Sequence, residues 1–202
     1  SPNHKDKWNG HHAVNRSLQR GLSLLNINYN WNPKTIEEIG DIVYVPANID
    51  ALNTAIELKI KGSIKLLLAG PNFVVFPTDS NGIVTNPAIN CYIINSEWTQ
   101  ILYEKDAPSL CNRLAIWPAG IDSSFWQPTT DTSASKSVLI YQKSQNESLY
   151  QNVTKLLQSF GWEPINIKYG SYNFSDYKNA LSKARFAIFL SRSESQGIAL
   201  AE

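Results

Sequence analysis

The sequence is short of methionine, cysteine and long apolar runs. It has 202 residues, with Met 0 and Cys 2. Two cysteines, Cys91 and Cys111, are too few for a disulfide framework and are not spaced as metal ligands, so we expect both to be buried, reduced thiols. No run approaches the roughly 18 apolar residues of a membrane span, and the first residues lack the pattern of a signal peptide. We therefore expect a cytoplasmic protein, with peripheral contact to a membrane left open.

Charge is also scarce and evenly balanced. The 18 Lys and Arg residues against 17 Asp and Glu residues leave a net charge of +1. Nucleic-acid binders usually carry a basic patch or stripe, and the sequence has none, so we expect no nucleic-acid partner. Hydrophobic residues make up 43% of the chain, which is enough for a packed core.

Short apolar runs alternate with helical patterns, which is typical of βαβ units and a parallel sheet. Strands are predicted at residues 41–45, 64–68, 73–76, 91–94, 114–117, 137–141, 164–168 and 186–190. Helices are predicted at 11–25, 52–60, 97–102, 149–160 and 177–184. Pro46 is expected to end the first strand and Gly70-Pro71-Asn72 to form a turn. We expect Ser96 and Ser175 to cap helices and Gly161 to end one.

A polar stretch without periodicity, residues 127–136, is the best candidate for a linker. We therefore predict an N-terminal Rossmann-like domain over 1–126, this linker, and a C-terminal Rossmann-like domain over 137–202. Only a polar loop precedes the first helix, the chain lacks methionine, and Glu202 falls within an apparent helix. We therefore expect a piece of a longer protein, in which the first strand is missing and the second domain is truncated.

The loop after the last predicted strand carries the most informative residues. Ligands of open α/β sheets bind at the carboxyl ends of strands, near helix N-termini. Gly197 permits a tight turn and close approach of a ligand, and the following helix start could hold a diphosphate. Glu202 lies about 7.5 Å further along the helix axis, so Glu194 and Glu202 could accept hydrogen bonds from sugar hydroxyls at two separate points. Alternatively, Glu194 is a solvated loop carboxylate.

The stretch Glu194-Ser-Gln-Gly-Ile-Ala-Leu-Ala-Glu202 resembles the E-x7-E motif of retaining glycosyltransferases of the GT-B type, in the group 1 or family 4-like set. Trp117-Pro-Ala-Gly-Ile-Asp122, followed by Phe125-Trp-Gln-Pro128, is similar to the hinge segment of that family. Asn95-Ser-Glu-Trp98 resembles one of its helix starts. The resemblance implies an α/β fold of two Rossmann-like domains with parallel sheets, the second one truncated here.

The resemblance also implies roles for particular residues. Glu194 would contact the donor sugar as the catalytic carboxylate, and Glu202 would contact the nucleotide ribose. A basic pair follows the first strand of the second domain in this family; Lys143 matches it, without an accompanying Arg, and an ordinary surface lysine is the alternative. The donor would further meet Ser195, Gln196, Gly197 and Ile198.

Three residues near the start are further candidates by the same resemblance. Trp8-Asn-Gly-His-His12 falls where the family carries a glycine-containing loop facing donor and acceptor. Gly10 would then bind the donor, with His11 and His12 as catalytic candidates. The alternative is that the histidines form a solvated helix cap. Asp79 could face the same cleft, or could simply be a turn residue.

The resulting hypothesis is a glycosyltransferase that moves a hexose from a nucleotide diphosphate sugar to a hydroxyl acceptor with retention. No cofactor or metal is expected, because no Asp-x-Asp motif occurs. The donor is the nucleotide sugar, and the acceptor could be a saccharide, a lipid or a protein. Two alternatives stay open: a non-catalytic nucleotide-sugar-binding module of the same fold, and a nucleotide-sugar epimerase.

Overall fold

The computed structural model describes residues 10–127, 131–143, 147–192, 197 and 199, and of residues 10–12 it describes the backbone alone. The chain is an α/β protein with one parallel sheet of four strands and one of three. Contacts group it into two compact units: Leu18–Gly120, and the described residues of Ser1–Ser17 with those of Ile121–Glu202. The predicted α/β class with parallel sheets is confirmed and is consistent with a Rossmann-like fold. The domain bounds given above stay a prediction.

The strands are β1 (Ile42–Ala47), β2 (Leu66–Asn72), β3 (Cys91–Ile94), β4 (Leu114–Ile116), β5 (Ser137–Gln142), β6 (Glu163–Lys168) and β7 (Phe186–Leu190). The helices are α1 (Gly10–Leu24), α2 (Ile49–Ile60), α3 (Asp79–Gly82), α4 (Glu97–Asp106), α5 (Glu147–Ser159) and α6 (Phe174–Lys183). Short 3-10 turns lie at Ile36–Glu38, Ile83–Thr85 and Pro108–Leu110. All predicted helices and seven of the eight predicted strands are therefore present, with shifted bounds.

The four-stranded sheet has the order β1-β2-β3-β4, with every pair parallel. Leu67, Ala69, Tyr92 and Ile94 point from it into a buried cluster that also contains Leu52 of α2. Each connection joins two neighbouring parallel strands in chain order, so the sheet is extended in one direction from β1 to β4.

Two predicted strand ends are wrong. β1 runs past Pro46 to Ala47, and β2 runs through Gly70-Pro71 to Asn72. The register between these strands shifts between Val45 and Ala47, after which Ala47 pairs with Asn72. Proline lacks an N–H donor, and an irregularity of this kind lets it sit in a strand without breaking a regular ladder.

The predicted strand at 73–76 is also wrong, because these described residues form bends. β2 already pairs with β1 on one side and β3 on the other, so no edge of β2 remains for it. Phe73 and Val74 pack against the core from the loop, while Val75 and Phe76 are exposed. A four-residue apolar run does not distinguish a strand from a loop that packs on a core.

The three-stranded sheet has the order β6-β5-β7, again parallel throughout. β5 is central and is buried on both faces, which explains its continuous apolar sequence. Val138 and Ile140 pack with Leu157 of α5 on one face, and Leu139 and Tyr141 pack with the aromatic cluster around α6 on the other.

The helix caps differ in part from the predictions. Ser96 occupies the N-cap position of α4, but its hydroxyl makes no capping bond to the helix backbone and lies 2.6 Å from the Thr99 hydroxyl. The N-cap of α6 is Asn173 and not Ser175. Asn173 Oδ1 accepts from the Asp176 N–H at 2.9 Å, and the Asp176 carboxylate accepts from the Asn173 N–H. Gly161 follows α5 with φ +76°, as expected of a glycine that ends a helix.

Burial corrects two further expectations. Cys111 is exposed and Cys91 is half-buried, although both are free thiols as predicted. In α4 the buried side chain is Tyr103, while Trp98 and Ile101 of the predicted apolar face are exposed. Tyr103 stacks on Tyr92 at 5.6 Å between ring centroids, so the aromatic contact decides which face of α4 turns inward.

Candidate functional site

The strand order of the three-stranded sheet creates a topological switch point. The chain leaves the central strand β5 for β6 on one side and then crosses to β7 on the other. The loops after β5 and β7 therefore diverge, and open α/β sheets bind ligands in the crevice between two such loops. This makes the carboxyl edge of β5 and β7 the candidate site.

Backbone hydrogen bonds hold the starts of these loops together. Gln142, the last residue of β5, is in register with Leu190, the last residue of β7. The Lys143 N–H then donates to the Leu190 carbonyl at 2.9 Å. Lys143 and the loop that begins at Ser191 consequently start side by side, and two of the regions predicted to bind the donor share one edge.

The other side of β5 is bounded by the turn after β6. The Tyr169 N–H donates to the Gln142 carbonyl at 2.9 Å, and the Ser171 N–H closes the turn on the Lys168 carbonyl at 3.0 Å. Gly170 has φ +74°, the left-handed value that favours glycine at this position of a turn. The Lys143 Nζ lies 5.1 Å from the centroid of the Tyr169 ring, a cation–π contact across the end of β5.

The start of α5, next to the end of β5, carries a negative charge. α5 carries Glu147 in its first turn, and the buried Gln142 side chain donates to that carboxylate at 3.4 Å. A carboxylate there stabilises the helix start and opposes a second anion at the same place. Of the groups described here, Lys143 is therefore better suited to an anion at this edge than the start of α5 is.

The part of the E-x7-E motif that the structure describes is small. Gly197 is buried and has φ +67°, which agrees with the predicted need for a glycine in this turn. Ala199 packs against the aromatic cluster, and its carbonyl accepts a hydrogen bond from the Tyr177 hydroxyl. The remaining predicted residues of the motif lie outside the described residues: Glu194, Ser195, Gln196, Ile198 and Glu202.

The candidates near the start of the chain lie in the first turn of α1. Gly10, His11 and His12 have a described backbone, and their side chains are outside the description. This part of α1 groups with the three-stranded sheet. Arg16 of the same helix lies 4.5 Å from the Phe174 ring centroid, at the first residue of α6. The roles of Gly10, His11 and His12 stay predictions.

The hinge-like segment and Asp79 have structural roles. The Asp122 carboxylate accepts from the Ser124 hydroxyl and from the N–H groups of Ser124 and Phe125, which forms a turn. Trp126 then packs on Phe174 at 5.1 Å between centroids. Asp79 is exposed and begins α3, and its carboxylate accepts from the Phe76 N–H at 2.9 Å, which stabilises the bend before this helix.

The carboxyl edge of the four-stranded sheet is aromatic. Tyr44 lies 5.9 Å from Trp117 between ring centroids, and its hydroxyl donates to the Gly70 carbonyl at 2.8 Å. Burial raises the pKa of Tyr44 to about 12. Trp117 itself stays 47% exposed, so an indole face is presented at this edge.

The described part of the chain lacks both a metal-binding cluster and a membrane-spanning helix. No group of three His, Cys, Asp or Glu side chains there could hold a metal ion. Nor is any helix in those ranges long and apolar enough to cross a membrane.

The fold and the switch point define an α/β protein with a Rossmann-like arrangement of parallel strands. Comparisons with protein-family models, curated proteins and solved structures return no match for this chain.

Reasoning from the sequence missed Tyr169 and Gln142. Both lie at the carboxyl ends of predicted strands, where ligands are expected. The signal at Tyr169 is an aromatic residue directly before a turn glycine, Gly170, and the contact with Lys143 could not be read from residues 26 positions apart. Gln142 belongs to an apolar run and becomes notable only as a buried polar side chain.

Proposed function

We propose that the chain belongs to a glycosyltransferase that moves a hexose from a nucleotide diphosphate sugar to a hydroxyl acceptor with retention of configuration. The observation that carries the proposal is the switch point between β5 and β7. Lys143 begins one of its loops, and the loop after Leu190 leads into the E-x7-E stretch. A two-domain GT-B arrangement is part of the same proposal.

The proposed chemistry divides between the two loops. The leaving nucleoside diphosphate gains negative charge as the glycosidic bond breaks, and preorganised positive groups at that point stabilise the transition state. Lys143 and the N–H groups of the turn at Gly197 would supply them. Glu194 would bind the donor sugar and Glu202 the ribose, while Gly10, His11 and His12 would serve the donor and acceptor from α1.

Binding is tested directly by calorimetry with UDP, GDP, ADP and the corresponding glucose or mannose conjugates. We expect one nucleotide series to bind, and Lys143→Met to weaken its binding about tenfold through loss of a charged hydrogen bond of roughly 1.5 kcal/mol. Lys155→Met is the matched control, since Lys155 is exposed on α5 away from the strand ends. If none of these nucleotides binds the wild-type chain, the proposal is wrong.

Catalysis is tested through Glu194. With the nucleotide sugar that binds, and saccharide, lipid and peptide acceptors, we expect Glu194→Gln to lower turnover about 100-fold, a loss typical of removing one transition-state contact. Glu163→Gln, at the opposite end of β6, is the control. Unchanged turnover in Glu194→Gln would contradict the assignment. Donor binding with no transfer to any acceptor would favour a binding module, and a changed sugar without an acceptor would favour an epimerase.

A further inference from the structure

We propose that Tyr169 is a positioning residue that holds the Lys143 ammonium group at the end of β5, ready to meet the diphosphate. The inference rests on the proposed function. It concerns a side chain that the E-x7-E resemblance does not include, and it assigns a physical partner to a lysine that lacks the usual arginine beside it in sequence.

The backbones of both residues are fixed to the sheet. Lys143 bonds to β7 through the Leu190 carbonyl, and Tyr169 bonds to β5 through the Gln142 carbonyl. The glycine turn at Gly170 closes on Lys168 directly after the tyrosine. The ring is therefore carried by a short, hydrogen-bonded turn, and its separation of 5.1 Å from the Lys143 Nζ follows from two anchored backbones.

The ring is exposed enough to act at a binding edge. Tyr169 retains 38% of its surface, whereas the neighbouring Tyr172 and Tyr177 are buried in the aromatic cluster. A phenol that served packing alone would be expected among those rings. Tyr169 instead lies outside the cluster and contacts a cation.

Restricting Lys143 has a physical purpose at this site. Lysine has a flexible stem, and fixing it on binding an anion costs side-chain entropy. A ring that restricts the ammonium beforehand lowers the entropic cost of binding and so strengthens the binding of an anion by Lys143.

The cation–π contact is compatible with binding a phosphate. An ammonium group carries three N–H donors. The ring meets one side of the group, and a phosphate oxygen can approach from another. The contact should therefore persist in the complex. Removing the ring should weaken anion binding, because Lys143 would then have to be ordered at the moment of binding.

The test is a double-mutant cycle on the intact chain with inorganic pyrophosphate and with UDP, GDP and ADP as probes, measured by calorimetry. Pyrophosphate has no base, so it isolates the effect on Lys143 from any stacking on the ring. We expect Tyr169→Leu to weaken pyrophosphate binding about 2- to 10-fold, which corresponds to the entropic cost of immobilising one long side chain at the moment of binding. Tyr169→Phe should restore binding to within about twofold, because the ring face is kept.

In a Lys143→Met background, Tyr169→Leu should have no further effect. Phe160→Leu is the matched control, since Phe160 is an exposed aromatic at the other end of α5. Tyr169→Gln provides a second non-aromatic variant should Tyr169→Leu fail to fold.

The outcomes separate the two proposals. Binding that is equal or tighter in Tyr169→Leu, or a loss of equal size with and without Lys143, overturns the role of Tyr169 and leaves the proposed function standing. A Tyr169→Phe variant as weak as Tyr169→Leu overturns it as well. If wild type binds neither pyrophosphate nor any nucleotide, both proposals are wrong.

Discussion

Tyr44 shows at the scale of a residue how burial couples to pH. Its hydroxyl donates to the Gly70 carbonyl, and burial raises its pKa to about 12, above the ordinary value of 10. The folded state therefore favours the protonated phenol more strongly than the unfolded state does. The stability that follows is fully present below pH 10 and is lost as the pH rises toward 12.

We predict that Tyr44→Phe is about 1 kcal/mol less stable than wild type at pH 8, because one hydrogen bond is lost. By pH 11 the wild type should lose about 1.4 kcal/mol that the variant does not, so the variant should then be about 0.4 kcal/mol more stable than the wild type. Urea unfolding curves at both pH values measure this. A constant difference at the two pH values would show that the Tyr44 hydroxyl does not titrate with a raised pKa.

The backbone of β3 leaves no room for a side chain at Gly70 of β2. Gly70 has φ +105°, and a Cβ added there would lie 2.1 Å from the Ile93 carbonyl oxygen. The close approach of β2 and β3 explains why a glycine precedes Pro71 within a strand. The sequence predicts a turn at Gly70-Pro71-Asn72. These residues instead belong to β2, where Asn72 pairs with Ala47 of β1.

Helix capping is the clearest case at the scale of an element. The Asn173 side chain accepts from the Asp176 N–H, and the Asn173 N–H donates to the Asp176 carboxylate. These two bonds form a capping box at the start of α6. We predict that Asn173→Ala lowers the free energy of unfolding by about 1 kcal/mol, since an N–H at the helix start loses its acceptor. Thermal and urea denaturation measure the loss.

Ser175→Ala is the control for the α6 cap. Ser175 lies inside the helix, where alanine has the higher helical propensity, so this variant should be as stable as wild type or slightly more so. If Ser175→Ala were the more damaging change, the cap would lie where the sequence first suggested it.

Arg113 connects the segments that precede β3 and β4 through hydrogen bonds to four backbone carbonyls. The Arg113 guanidinium donates to the carbonyls of Asn86, Ile89, Thr85 and Ser109 at 2.9 to 3.3 Å. These bonds fasten the segment before β3 to the segment before β4. The planar fork of arginine suits several carbonyls at once, which the single ammonium of lysine cannot match.

The whole molecule contains separate cores in its two units. Leu67 lies in the cluster of the four-stranded sheet and Leu139 in a cluster of the three-stranded sheet, and both are fully buried. We predict that Leu67→Ala and Leu139→Ala each cost about 2–5 kcal/mol. Because each cavity opens in its own core, hydrogen exchange should accelerate mainly in β1–β4 for the first variant and in β5–β7 for the second.

Exchange mass spectrometry on the intact chain distinguishes the cases. Equal loss of protection in both sheets for either variant would contradict the independence of the two cores. Val43→Ala is a milder control, because Val43 is only partly buried at the first cluster.

Local chemistry determined much of this protein from sequence. The α/β class, the helices α1, α2, α4, α5 and α6, and the strands β3, β5, β6 and β7 follow from apolar periodicity and from glycine or proline at element ends. These are short-range properties, since a residue's neighbours along the chain decide them. The position of Lys143 and Gly197 after strands could be predicted for the same reason.

Tertiary structure alone decided what depends on residues distant in sequence. Pro46 and Pro71 fit within strands because the register between two strands shifts. Phe73 and Val74 pack on the core from a loop and not from a strand, and Tyr103 turns inward where it stacks on Tyr92. The contact of Tyr169 with Lys143 is of the same kind. The strand order β6-β5-β7 brings them together, and no local pattern encodes strand order.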